Sequence, residues 1–132
     1  MDRLKIAERL AVQRPADLPP LQVCLQVNIS KEASKSGVAP EETGALAHEI
    51  AKMPNLKLRG LMAVPAPCDD IAAQRVPFAA LRKLRDRLNL QGLQLDTLSM
   101  GMSHDFAAAI AEGATMVRIG TAIFGERNYG EK

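Results

Sequence analysis

Two short segments near the end of the chain carry residue types able to hold an anion. Gly101-Met102-Ser103-His104-Asp105 follows one apolar run, and Gly120-Thr121-Ala122-Ile123-Phe124-Gly125 follows another, Met116-Val117-Arg118-Ile119. Each combines glycine, which lets a backbone approach a ligand closely, with a hydroxyl group. At the carboxyl ends of parallel strands such loops present backbone N–H groups to a phosphate. Ser103 reads two ways, as a helix N-cap or as a phosphate ligand that also caps the helix. The second is preferred, because a helix dipole and free N–H groups suit a dianion. Gly120 and Thr121 read equally as phosphate contacts or as a plain strand exit. Arg118 interrupts an apolar run, where a charge is costly unless paired or aimed at a ligand. Its place near a carboxyl end favours the ligand-facing role over a structural ion pair.

Other chemistries fit these residues poorly. Gly101-Met102-Ser103-His104-Asp105 approximates a nucleophile elbow, but Asp105 stands where the final glycine belongs. Adjacent Ser, His and Asp cannot converge as a triad, which draws its side chains from separate elements. Gly120 to Gly125 resembles a P-loop frame, yet Glu126-Arg127 replaces the Lys-Ser/Thr pair. His104 has no second His, Cys or acid at ligand spacing, so no metal site is expected. His48 reads as a surface residue, and Lys31 and Lys35 as solvated loop lysines.

The surrounding pattern alternates helices and strands. Residues 2–12 place Leu4, Ala7, Leu10 and Ala11 on one helical face, and residues 21–28 read as a strand. After a polar loop over 29–39, Pro40-Glu41-Glu42 opens a helix with proline early and acids at the positive dipole end. Leu46, Ala47, Ile50 and Ala51 form its expected buried stripe. A strand over 56–64 precedes a helix over 71–88, with Phe78, Leu81, Leu84 and Leu88 inward and Arg82, Lys83, Arg85 and Asp86 in solvent. Pro77 is expected to make the first turns of that helix irregular. A strand over 95–100, a short helix over 105–112 and a strand over 116–119 complete the series. Such alternation implies an α/β fold with parallel strands and right-handed crossovers. A (β/α)8 barrel needs at least about 200 residues, so the four strands here amount to half of one.

Size and charge narrow the partners. The 132 residues suit one domain, and a net charge of +2 with four aromatic residues leaves no footprint for nucleic acid. No apolar stretch approaches the roughly 18 residues of a membrane span. The charged start Met1-Asp2-Arg3-Leu4-Lys5 is not a secretion signal. Cys24 in a strand and Cys68 in a Pro-flanked loop fit free thiols in a reducing cytoplasm.

Along its whole length the chain resembles the carboxyl-terminal half of the pyridoxal-phosphate homeostasis proteins. These are single-domain barrels similar to the barrel of bacterial alanine racemase. The stretches that carry the resemblance are Val27-Asn28-Ile29-Ser30 with Lys35-Ser36-Gly37, Arg59-Gly60-Leu61-Met62-Ala63-Val64-Pro65, Leu98 to Ser103 with Asp105, and Val117 to Gly125. The resemblance implies a TIM-barrel α/β fold of the alanine racemase N-terminal-domain type, with residues 1–132 forming about four βα units. It implies pyridoxal 5′-phosphate as cofactor, its phosphate held by Ser103 with the backbone of Gly120 and Thr121. Arg118 would face the pyridine nitrogen, Met102 would pack by the ring, and Met62 would line the interior.

None of the lysines matches the family's Schiff-base motif, which belongs to the amino-terminal half. The chain is therefore read as a fragment or a truncated reading frame that keeps the phosphate cup and lacks the covalent link. The expected function is cofactor binding and intracellular vitamin B6 homeostasis, without enzymatic turnover. Phosphate or sulfate could occupy the cup, and copies of the chain would associate through exposed barrel edges. The alternative is part of a pyridoxal-phosphate-dependent amino-acid racemase. That chemistry needs an acid–base pair on opposite faces of the ring, and Tyr129 is the single tyrosine.

Overall fold

In the computed structural model, residues 4–15, 17–29, 37–66 and 69–118 are described. Along the chain run α1 (Leu4–Gln13), β1 (Leu21–Gln26), α2 (Pro40–Ala51), β2 (Leu56–Ala63), α3 (Ile71–Leu90), β3 (Thr97–Met102), α4 (Phe106–Ala111) and β4 (Met116–Arg118). The four strands form one parallel sheet in the order β1-β2-β3-β4, each beside its chain neighbour. Crossovers between consecutive parallel strands are right-handed as a rule, which puts α2, α3 and α4 on one side of the sheet. The observed order matches the expected alternation.

Burial follows that layering. Leu25 and Val27, Leu56, Leu58, Leu61 and Ala63, and Leu98 and Met100 point from the sheet into one core. Ala47 and Ile50 of α2, Phe78, Leu81, Leu84 and Leu88 of α3, and Ala108 and Ala109 of α4 meet them. The intervening strand residues Gln22, Cys24, Gln26, Met62 and Ser99 are half-buried or exposed and belong to the opposite face.

Several local expectations are corrected. Ala51 is exposed, and Thr43 takes its place in the α2 stripe, its hydroxyl donating to Ala39 O at 3.0 Å. Pro77 lies within a continuous α3; the carbonyl it leaves without a donor belongs to exposed Ala73, where water can serve. Arg82 is half-buried rather than solvated, because it pairs with Glu112. His48 is half-buried too, its Nε2 lying 3.0 Å from Gln91 Oε1. The third strand starts two residues later than expected, since Asn89 clamps Leu95 at both N–H and C=O, at 2.8 and 3.0 Å.

The β2–β3 contact depends on one glycine. Register shifts between Val23 and Cys24, so Arg59 is an extra residue on β2 and Gly60 pairs with Thr97. A Cβ on Gly60 would lie 1.8 Å from Thr97 O. No other residue permits so close an approach of two backbones.

Candidate functional site

The loop leaving β3 is built around Asp105. Gly101 turns the strand with φ +107, and a Cβ there would stand 2.7 Å from the Ala109 Cβ. The Met102 N–H donates to Asp105 Oδ1 at 2.7 Å, and the Asp105 N–H donates back to Met102 O at 3.1 Å. The second carboxylate oxygen lies 3.3 Å from His104 Nε2. From α3, Gln74 Nε2 donates to His104 O at 3.4 Å. Asp105, not Ser103, is the residue at the N-cap of α4, which corrects the capping role that both readings gave Ser103. Ser103 sits half-buried at the tip of the turn, two residues before that position.

A cavity of about 380 Å³ opens beside this turn, lined by Asp69, Ile71, Gln74, Ser103, His104, Asp105 and the first turn of α4. In register, Met102 pairs with Arg118. Met102, just before Ser103, and Arg118 therefore stand at the same level of neighbouring strands. The side chain of Arg118, and Gly120 and Thr121 as a whole, lie outside the described residues, as do Lys31, Lys35, Cys68 and Tyr129. Met62 is half-buried on the face away from the helices and pairs with Ser99. That places it about three residues, roughly 10 Å along the strand direction, from the level of Met102. Ser103 and Met102 are thus brought together with Arg118, and Met62 stands lower on the same sheet.

Two polar clusters escaped the sequence reading. At the amino-terminal ends of the strands, Arg59 donates to both Asp96 carboxylate oxygens, at 2.9 and 2.7 Å, and to Gln22 Oε1 at 2.9 Å. Thr97 Oγ1 donates to the same carboxylate at 2.9 Å. These bonds, the guanidinium's first, bring the Asp96 pKa down from 3.8 to about 2. Nearby Cys24, half-buried, has its thiol pKa raised by desolvation.

The other cluster joins α3 to α4. Glu112, buried at the end of α4, accepts from Arg75 Nε at 2.7 Å and Arg82 at 3.1 Å. The hydrogen bond from Arg75 is the main reason its pKa is lowered. The signal available in sequence was only that residues 75 and 82 lie two helical turns apart. Among the described residues no group of three or more His, Cys, Asp and Glu could hold a metal ion, and no helix is long and apolar enough to cross a membrane.

The whole arrangement has close counterparts among known proteins. A pyridoxal phosphate homeostasis protein of Pseudomonas aeruginosa is 65% identical over 130 residues, covering 98% of this chain and 55% of that protein. A protein of the same name from Escherichia coli K12 is 52% identical over 132 residues, covering 100% and 56%. The chain thus spans about half the length of the curated relatives it matches. The structure of PipY from Synechococcus elongatus PCC7942 with pyridoxal phosphate bound superposes with a TM-score of 0.81 at 35% identity, covering 95% of this chain and 58% of PipY. Alanine racemase of Corynebacterium glutamicum, 19% identical with a TM-score of 0.69 over 96% of this chain and 35% of its own, shares the fold. The family described as alanine racemase, N-terminal domain, matches residues 1–128, and the chain belongs to it.

Proposed function

We propose that this chain contributes the phosphate-holding half of a pyridoxal 5′-phosphate-binding barrel that serves intracellular vitamin B6 homeostasis in the cytoplasm. The observation that carries the reading is the pairing of Met102 with Arg118. It sets Met102, the residue before the Ser103 turn, level with Arg118 on the neighbouring strand, and this supports reading Ser103 together with the Gly120-Thr121 segment of the sequence as one phosphate cup. A dianion suits that place, because N–H and O–H donors can converge on it. The Asp105 carboxylate accepts from the Met102 N–H and lies beside His104.

In this reading residues 1–132 correspond to the carboxyl-terminal half-barrel. Ser103 holds the phosphate with backbone from Gly120 and Thr121. Arg118 faces the pyridine nitrogen, Met102 packs by the ring, and Met62 lines the interior. When bound, the cofactor supplies an electrophilic aldehyde and an electron-withdrawing ring. A permanently protonated guanidinium beside the ring nitrogen disfavours protonation there and so weakens that withdrawal. This suits holding and releasing the cofactor rather than turning over a substrate. The relatives' shared name, pyridoxal phosphate homeostasis protein, supports the same choice over a racemase.

The sheet face carrying Gln22, Gln26 and Met62, not covered by helices among the described residues, together with the edge of β1, makes self-association the expected state of the isolated chain. Sedimentation at micromolar concentration tests this; a monomer would contradict it. For the ligand, calorimetric titration with pyridoxal 5′-phosphate should give weak binding that inorganic phosphate or sulfate competes away. Ser103→Ala should weaken it about tenfold, the scale of one hydrogen bond to a charged group. Borohydride reduction followed by mass measurement should leave no stoichiometric adduct on a single lysine. Undiminished binding by the Ser103 variant would refute the assignment.

A further inference from the structure

The geometry points to Asp105 as a positioning residue. Its carboxylate fixes the turn that presents Ser103 to the phosphate end of the ligand, without touching the ligand itself. This rests on the functional reading above and adds a residue to it.

The chain contains an internal control for what an aspartate does at the start of a helix. Asp70, at the N-cap of α3, turns its carboxylate forward and accepts from the Ala72 N–H at 3.2 Å. That is the ordinary capping bond, which satisfies an otherwise orphaned donor of the first turn. Asp105 occupies the same position before α4 and makes no such bond. Its carboxylate points backward, to the Met102 N–H, at 2.7 Å. The same two residues are tied again by Asp105 N–H to Met102 O at 3.1 Å. Two bonds between residues 102 and 105 close a four-residue turn and leave Ser103 and His104 at its tip.

Burial makes this bond consequential. Asp105 is only 6% exposed, and a carboxylate in that position must be matched by donors. Its Oδ1 accepts from a strand-end amide and its Oδ2 lies 3.3 Å from His104 Nε2, so the carboxylate holds the turn rather than the helix. The turn has little room to drift. Gly101, immediately before it, packs so closely on Ala109 that a Cβ would stand 2.7 Å away. Gln74 holds the carbonyl of His104 from the α3 side. Ser103 is therefore placed by its neighbours' backbone, and Asp105 determines that backbone.

The test uses the full chain with Asp105→Ala, Asp105→Asn and, as a control, Asp70→Ala. Pyridoxal 5′-phosphate affinity is measured by calorimetry, and hydrogen exchange of the Met102 and Ser103 amides by NMR. Asp105→Ala should lose about tenfold or more in affinity and lose protection at Met102. Asp105→Asn keeps an Oδ1 acceptor and should recover most of both. Asp70→Ala should lower stability yet leave affinity unchanged, separating positioning from general loosening. Equal losses in the Ala and Asn variants, or unchanged affinity in Asp105→Ala, would overturn the role. Wild-type chain that binds no pyridoxal phosphate would overturn the functional reading and the ligand end of this role with it. Unaltered Met102 exchange in Asp105→Ala would instead overturn the hold on the turn alone.

Discussion

Arg59 and Asp96 face each other as a two-pronged pair, Nε to Oδ1 at 2.9 Å and an Nη to Oδ2 at 2.7 Å, across the start of the β2–β3 seam. The backbones of the same residues are joined, Asp96 N–H donating to Arg59 O at 2.9 Å. The pair therefore locks the register just where Arg59 is the extra residue of β2.

Its pH dependence has a definite sign. The Asp96 pKa in the fold, about 2, lies below the ordinary 3.8, so the ionised form favours folding. That contribution is complete above the unfolded pKa and fades as pH falls through about 2. Urea unfolding followed from neutral pH into acid should show stability falling below pH about 4, with a smaller slope in Asp96→Asn.

Gly60→Ala should be among the most damaging small substitutions. The added Cβ meets Thr97 O at 1.8 Å, and a backbone oxygen cannot swing aside like a side-chain end. A loss of at least about 2 kcal/mol is expected from such overpacking, read as a lower urea midpoint.

Phe78→Ala tests the core itself. Phe78 is completely buried between sheet and helices, and truncation leaves a cavity. The expected cost is about 3–5 kcal/mol, measured by chemical denaturation.

Glu112→Gln removes the charge that two guanidiniums share. Its pKa is lowered by Arg75 first, so its contribution too is present at neutral pH and lost on acidification. The variant should unfold at lower urea than Glu49→Gln. Glu49 meets Lys52 at 3.5 Å with both side chains exposed, a kind of pair that contributes little.

Much of this architecture was legible because periodicity reports burial directly. Phe78, Leu81, Leu84 and Leu88 recur at helical spacing, and all four are buried. Strict alternation of helix and strand announced a parallel sheet, and with it the adjacency of Ser103 to the end of the fourth strand. Polar residues resisted the same treatment. Thr43 and Gln74 are buried, but their bonds go to Ala39 O and His104 O, which no hydropathy pattern locates. Arg59 and Asp96 are separated by 37 positions, so nothing local distinguishes them from solvated charges. Asp105 was visible in the motif, yet the backward turn of its carboxylate depends on φ at Gly101 and on α3 packing alongside. The family resemblance supplied roles for Arg118, Gly120 and Thr121 that residue types alone left open.

Strand order has a further consequence, for the way the polypeptide assembles. Because β1, β2, β3 and β4 lie in the sheet as they lie in the chain, each new strand finds its pairing edge already formed by the one synthesised before it. A chain emerging amino end first can thus grow its sheet by successive addition, with each helix sealing the latest strand before the next arrives.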